Sequence, residues 1–307
     1  MSSTHASRSS VVLHRREWQR RSTIFFRYCV LVVVALLILI PFIWVVSLAF
    51  SNPAEAFAYP PHLIPQHPTL DNFVGLLTGN MVPVALVNSI VVAGTATLTN
   101  IFFATMAGYA FARLQFPGRD SVFFLLIATT MVPTAVTLIP LFLLVKGFPL
   151  SGGNDLFGQG GSGLLNTLPG LMIPHIVQAL NIFLARQFFM GQPEELAEAA
   201  RVDGASEFRT FFRIYLPISQ PMIATIAIIA FTGAWEDFLW PLVISTSPTN
   251  YTIQVALSSL AGIGGGGTVD WGPLMAATAI ATLPLLAAFL FFQRYFIAGL
   301  TTGSVKG

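Results

Sequence analysis

Six runs of more than twenty mostly apolar residues dominate this chain, and they restrict it to very few folds. A helix needs ~20 residues to cross the hydrocarbon of a bilayer, so spans are predicted at about 28–50, 86–112, 121–145, 164–190, 218–245 and 272–297. In lipid the backbone must bond to itself, which leaves helices or closed barrels. These runs are too long and too little alternating for barrel strands. The fold class is therefore all-α, an integral membrane six-transmembrane-helix bundle. Composition agrees: 9% of the residues are charged, against roughly 25% in a soluble domain, too few to coat a globular surface.

Residues 1–27 carry Arg8, Arg15, Arg16, Arg20, Arg21 and Arg27 ahead of the first apolar run. A cleaved signal peptide would look similar, but this run is too long and no small-residue cleavage site closes it. A retained helix after a basic tail is expected. Orientation follows from Lys and Arg placement. With the N-terminus inside, segments 1–27, 113–120, 186–217 and 294–307 hold 14 of the 15 basic residues, and only Lys146 lies elsewhere. Both termini are thus expected in the cytoplasm, with 1–27 and 301–307 as tails around a membrane domain at 28–300. The lone Cys29 excludes an intrachain disulfide, no Cys-His spacing suggests a metal, and a net charge of +2 does not point to nucleic acid.

The Gly-rich segments 151–163 and 261–268 read as flexible surface loops. A phosphate-cradling loop would need a following Lys, and there is none between Lys146 and Lys306. The chain is expected to be neither an ATPase nor any other enzyme, and to hold no cofactor. An ion channel would need a ring of filter groups. A membrane-embedded enzyme would need a catalytic pair, for which Glu236-Asp237 is the sole candidate.

Residues 191–217 are the most charged internal stretch. Pro193 suits a first helical turn, Glu194 and Glu195 favour a helix N-terminus, Gly204 a left-handed helix end and Ser206 the cap of a second helix. Phe208, Phe211, Phe212, Tyr215 and Leu216 recur at helical spacing, as on one apolar face. Such a helix could lie on the membrane surface or dock a cytoplasmic partner. Glu198-Ala199-Ala200, then Gly204, then Ile214, Leu216 and Pro217 resemble the E-A-A-x3-G-x9-I-x-L-P signature of bacterial ABC importer permeases. That resemblance implies a coupling (EAA) helix pair. Glu198, Ala199, Ala200, Asp203, Gly204, Ile214, Leu216 and Pro217 would couple to an ATPase subunit, with Glu198 pairing to a basic group there.

Further residues narrow the resemblance to carbohydrate (MalG-type) permeases. They are the Gln293-to-Gly307 ending, Asn88-Ser89, and Trp235-x-Asp237-Phe238-Leu239-Trp240-Pro241-Leu242. Glu236 stands where that family usually has Asn. The similarity covers residues 25–307 and leaves the tail 1–24 outside. It implies a bacterial inner-membrane protein with a homologous second permease, two nucleotide-binding ATPase subunits that hold ATP-Mg, and an extracytoplasmic solute-binding protein. The substrate would be a sugar, with glycerol 3-phosphate or a polyol as the alternative. Ionisable and polar groups within spans line pathways or bond neighbouring helices. The candidates for a substrate pathway are Asn88, Gln178, Asn181, Trp235, Glu236, Asp237 and Trp240, and His175 is expected to pack between helices. Glu236 and Asp237 lie in the outer half of their span, where the helix either faces the pathway or emerges at the membrane interface with Trp240 in the aromatic belt.

Overall fold

The computed structural model describes residues 4–56, 63–262 and 269–303, and among them every regular element is helical. The Gly-rich residues 263–268 and the terminal Ser304-to-Gly307 lie outside the described residues. The principal helices are α1 (Thr4–Ala49), α2 (Met81–Arg113), α3 (Arg119–Thr129), α4 (Thr134–Lys146), α5 (Leu168–His175), α6 (Ala179–Met190), α7 (Glu195–Val202), α8 (Glu207–Ile218), α9 (Gln220–Glu236), α10 (Leu239–Ile244) and α11 (Trp271–Gly303).

Three of these, α1, α2 and α11, are unbroken and contain stretches long and apolar enough to cross a membrane. The expected spans 121–145 and 164–190 are not single helices: α3 meets α4 at 102° and α5 meets α6 at 42°. Their prolines account for much of this. Pro133 offers no amide to a helical ladder and pushes the residue before it out of the α region, and Pro174 removes another amide at the end of α5. The expected span 218–245 is also interrupted. It starts as α9, turned 82° from α8, and stops at Glu236 because Asp237 is extended (φ −64°, ψ 123°).

Lipid gives helices little hydrophobic reason to associate, so close van der Waals packing of small residues matters most. The centre of the bundle follows that rule. Ala93 and Ala96 of α2, Ala234 of α9, and Ala276, Ala277 and Ala281 of α11 share one buried cluster. At the other end of α2, Ala104, Gly108 and Ala112 recur every fourth residue, facing α6. A Cβ added to Gly108 would stand 2.4 Å from the Cβ of Ala185, so only glycine permits this crossing. Helix α1 packs on α11 and otherwise presents its apolar surface outward.

Asparagine side chains stitch the end of the bundle remote from α7. Asn72 donates to the carbonyls of Ala49 and Ser51 at 2.9 and 2.8 Å. Asn166 Oδ1 accepts the amides of Thr246 and Ser247 at 2.9 and 3.1 Å. The 151–163 segment corrects the expectation of a flexible loop. Asn154 donates to Lys146 O and Phe148 O and accepts from the Gly161 amide, at 2.8, 3.0 and 2.7 Å. Gly163, at φ +60° with Lys146 O where a Cβ would be, shows that glycine serves close backbone approach here rather than looseness.

Candidate functional site

Two groups of residues carry chemistry, one at each end of α6. The first is the α7–α8 pair. Helix α7 begins at Glu195, so Pro193 lies before its first turn rather than within it. It ends as the sequence suggests. Gly204 has φ +72°, its amide bonds Arg201 O at 3.0 Å and the Ala205 amide bonds Ala200 O at 2.9 Å, a double closure that satisfies the last carbonyls. Ser206 then caps α8 by accepting the Arg209 amide.

The two faces of α7 differ sharply. Glu198, Ala199, Asp203 and Gly204 are exposed, as is Val202 at 88%. Ala200, expected beside Ala199 on the docking face, is buried at 4% because it lies on the opposite side of the helix, with Ala197. The aromatic stripe of α8 also divides. Residues Phe211–Tyr215 form a wider π turn, Phe211 and Tyr215 are buried, and Phe208 and Phe212 remain exposed. Ile214 is half-buried, Leu216 packs against the aromatic cluster, and Pro217 is exposed at the elbow into α9.

The buried aromatics root the pair in the bundle. Tyr109 of α2 meets Phe189, Phe211 and Tyr215 at ring-centroid distances of 5.7, 5.3 and 5.2 Å. Its hydroxyl donates to Glu207 Oε2 at 2.9 Å, while Glu207 Oε1 pairs with Arg201 Nε at 3.2 Å. Arg113 lies 5.4 Å from the centre of the Tyr215 ring and donates to the carbonyls of Phe189, at 2.7 Å, and Gln192. Rings and charged hydrogen bonds thus tie the α7–α8 pair to α2 and α6, and Met222 and Ile226 of α9 pack in the same cluster. Tyr109 and Arg113 escape sequence reading because their partners are distant in the chain, and so does the Tyr109 contact of Glu207.

The second group sits where helices break. Asn100 is fully buried at the start of a π turn in α2 (Asn100–Ala104). It donates to His175 O at 2.7 Å and accepts the Gln178 amide and Asn181 Nδ2, both at 2.9 Å. One side chain thus bonds backbone groups left free by the α5–α6 break, as buried polar groups in a membrane require. A polar residue inside an apolar run is the signal that marks Asn100. Across the break, His175 Nε2 lies 3.0 Å from Asp237 Oδ2, so His175 does join two helix ends. Trp240 donates through Nε1 to Gly170 O at 3.1 Å.

The expected pathway residues separate accordingly. Gln178, Asp237 and Trp240 come together around one cavity beside His175. The others do not line it. Asn88 spends its amide on Thr249 O and Tyr251 O at 2.9 and 3.0 Å, Asn181 is fully buried, Trp235 stacks on Phe231 within the core, and Glu236 is exposed. No group of three or more potential metal ligands occurs among the described residues.

Comparison with known proteins follows this geometry. Residues 100–302, from the π turn through α7 and α8 to the end of α11, match the family described as binding-protein-dependent transport system inner membrane component. The arabinooligosaccharides transport system permease protein AraQ of Bacillus subtilis is 35% identical, over 79% of this chain and 81% of its own length. The lactose transport system permease protein LacG of Rhizobium radiobacter is 33% identical, over 94% of this chain and 98% of its own. A chain from the crystal structure of a bacterial ABC transporter importing the acidic polysaccharide alginate superposes with a TM-score of 0.75. It covers 91% of this chain and 98% of its own at 22% identity, a likeness of fold.

Proposed function

Because the chain belongs to the binding-protein-dependent transport system inner membrane components, we propose that it is one of two homologous permease subunits of an ATP-driven sugar importer. Two ATPase subunits supply the energy, and an extracytoplasmic binding protein delivers the solute. Six spans cross the membrane, with each bent pair α3–α4 and α5–α6 and the helix α9 counting as one. Both termini and α7–α8 face the cytoplasm, a reading supported by the 14-of-15 basic bias. The chain itself binds no nucleotide. Sugar as the solute class rests on relatives named for arabino-oligosaccharide and lactose transport.

The observation that carries this reading is the split of α7. One side is anchored through Ala197 in an aromatic core with Phe211 and Tyr215 of α8. The other offers Glu198, Ala199 and Val202 to a partner, and the small Ala199 admits close approach. ATP-driven closure moves this face, and the Tyr109–Glu207–Arg201 and Arg113 contacts carry the motion to the spans. Such coupling requires the ATPase to bind the two permease states unequally.

Co-purification and labelling test the proposal. Val202→Cys in a Cys29→Ser background should resist a membrane-impermeant thiol reagent in intact cells and react in inverted vesicles. The assembled complex should hydrolyse ATP faster when liganded binding protein is added. Labelling from outside, or purification without an ATPase subunit, would overturn it.

A further inference from the structure

The cavity at the helix breaks has a chemistry that bears on which solutes can pass. It measures about 350 Å³ and is lined by Thr134 and Thr137 of α4, His175 and Gln178 at the α5–α6 break, and Asp237 and Trp240 at the α9–α10 break. Three separate helix interruptions therefore converge on one space. Interrupted helices in a membrane are tolerated where they line a cavity, and they commonly mark transport sites. At ~1.5 Å per residue, α6 and α9 place this space ~18–25 Å from the α7–α8 end, toward the opposite end of the bundle, and it opens outward past the exposed Thr134 and Thr137.

Its polar groups are arranged with capacity to spare. An ionised carboxylate offers about four lone-pair sites. Asp237 uses one on His175 Nε2 at 3.0 Å and one on the Trp240 amide at 3.4 Å. The Gln178 side-chain carbonyl accepts from Asn181 Nδ2 at 3.3 Å, leaving its amide hydrogens for a ligand. Trp240, buried at 4% exposure, supplies an apolar wall. A carboxylate, a carboxamide, two hydroxyls and an indole are a set that suits a polyhydroxylated ring.

The charge of the lining is equally informative. No Lys or Arg lines it, whereas carboxylates and phosphates are recognised through such residues. Asp237 is the one carboxylate of the lining, and an anionic solute finds neither a guanidinium nor an ammonium there to pair with.

We propose that this cavity is a transport subsite for a neutral sugar, with Asp237 and Gln178 bonding its hydroxyls and His175 as the positioning residue that holds Asp237. The subsite selects against uronates and against phosphorylated solutes such as glycerol 3-phosphate. It rests on the importer reading above and deepens it.

Thr137→Cys, in a Cys29→Ser background within the complete complex in proteoliposomes, provides the probe. Cationic and anionic methanethiosulfonates of similar size are compared after normalisation to a free thiol. The cationic reagent should react roughly tenfold faster, as expected where a low-dielectric wall focuses a negative potential. Asp237→Asn should reduce that preference to near unity. In the presence of binding protein and ATP, at least one of maltose, lactose and arabinotriose should slow labelling, and trigalacturonate should not. Equal rates for the two reagents, no labelling in any state, or protection by trigalacturonate alone would overturn the subsite. The comparison of reagents on the Asp237-containing protein does not depend on the Asp237→Asn variant folding. Binding-protein-stimulated ATP hydrolysis, measured on the Cys29→Ser complex with Thr137 intact, separates the two ideas. Its absence counts against the importer, and its presence alongside equal reagent rates counts against the subsite alone.

Discussion

Gly204→Val isolates the contribution of one backbone angle to coupling. A Cβ at Gly204 would meet no atom within 4 Å, so steric collision adds nothing to the cost within this chain. What remains is φ +72°, which costs an L-residue roughly 1–2 kcal/mol. Escape from that strain would sacrifice the closing bonds Gly204–Arg201 and Ala205–Ala200, at 3.0 and 2.9 Å, each worth about 0.5–1.5 kcal/mol. Either route destabilises the chain by only ~1–3 kcal/mol, so the complex should still assemble in the membrane. Helix α8 leaves α7 through this residue, however, and a changed exit angle moves Glu198 and Ala199 relative to the Tyr109–Phe211–Tyr215 anchor. Binding-protein-stimulated ATP hydrolysis and sugar uptake should both fall by more than tenfold, while sugar binding to the external protein is unchanged. Gly204→Asn, whose side chain tolerates left-handed backbone, should keep most of the coupling. Thermal unfolding of the purified complex, stimulated hydrolysis and proteoliposome uptake measure the three quantities. A valine variant that assembles and transports at the wild-type rate would show α7 to be an ordinary surface helix.

Three other substitutions probe the framework. Gly108→Val should abolish recovery of assembled complex by size-exclusion chromatography, because its Cβ would lie 2.4 Å from Ala185 Cβ and 2.8 Å from the Arg186 amide nitrogen; Ala185→Gly should partly rescue Gly108→Ala. Asn100→Leu orphans His175 O and the Gln178 amide, a loss of about 2 kcal/mol or more, and should lower the unfolding temperature of the complex. Glu207→Ala removes the link between Tyr109 and Arg201; the partly exposed ion pair contributes less than ~1 kcal/mol and the lost Tyr109 hydrogen bond to the carboxylate about 1.5–3 kcal/mol, so the unfolding temperature should fall modestly and stimulated hydrolysis by more than tenfold.

Apolar run length and Lys and Arg placement depend only on each segment and its solvent, so the sequence alone determined the helical class, the approximate spans and the expected orientation. The left-handed turn at Gly204 and the cap at Ser206 were legible for the same reason, since their bonds lie within five residues. Tertiary structure alone decided where the apolar runs 121–145, 164–190 and 218–245 bend. A proline marks a place where a helix can break, but the angle depends on what replaces the lost bonds, and for His175 O and the Gln178 amide the replacement is Asn100, more than seventy residues earlier. It also decided which polar residues meet. Asn88 and Gln178 look alike within apolar runs, yet Asn88 spends its amide on the 249–251 backbone while Gln178 opens onto a cavity with Asp237. Partners that lie about sixty to one hundred and sixty residues apart leave no local periodicity, so only the packed bundle could show whether each polar side chain ties helices together or opens onto a cavity.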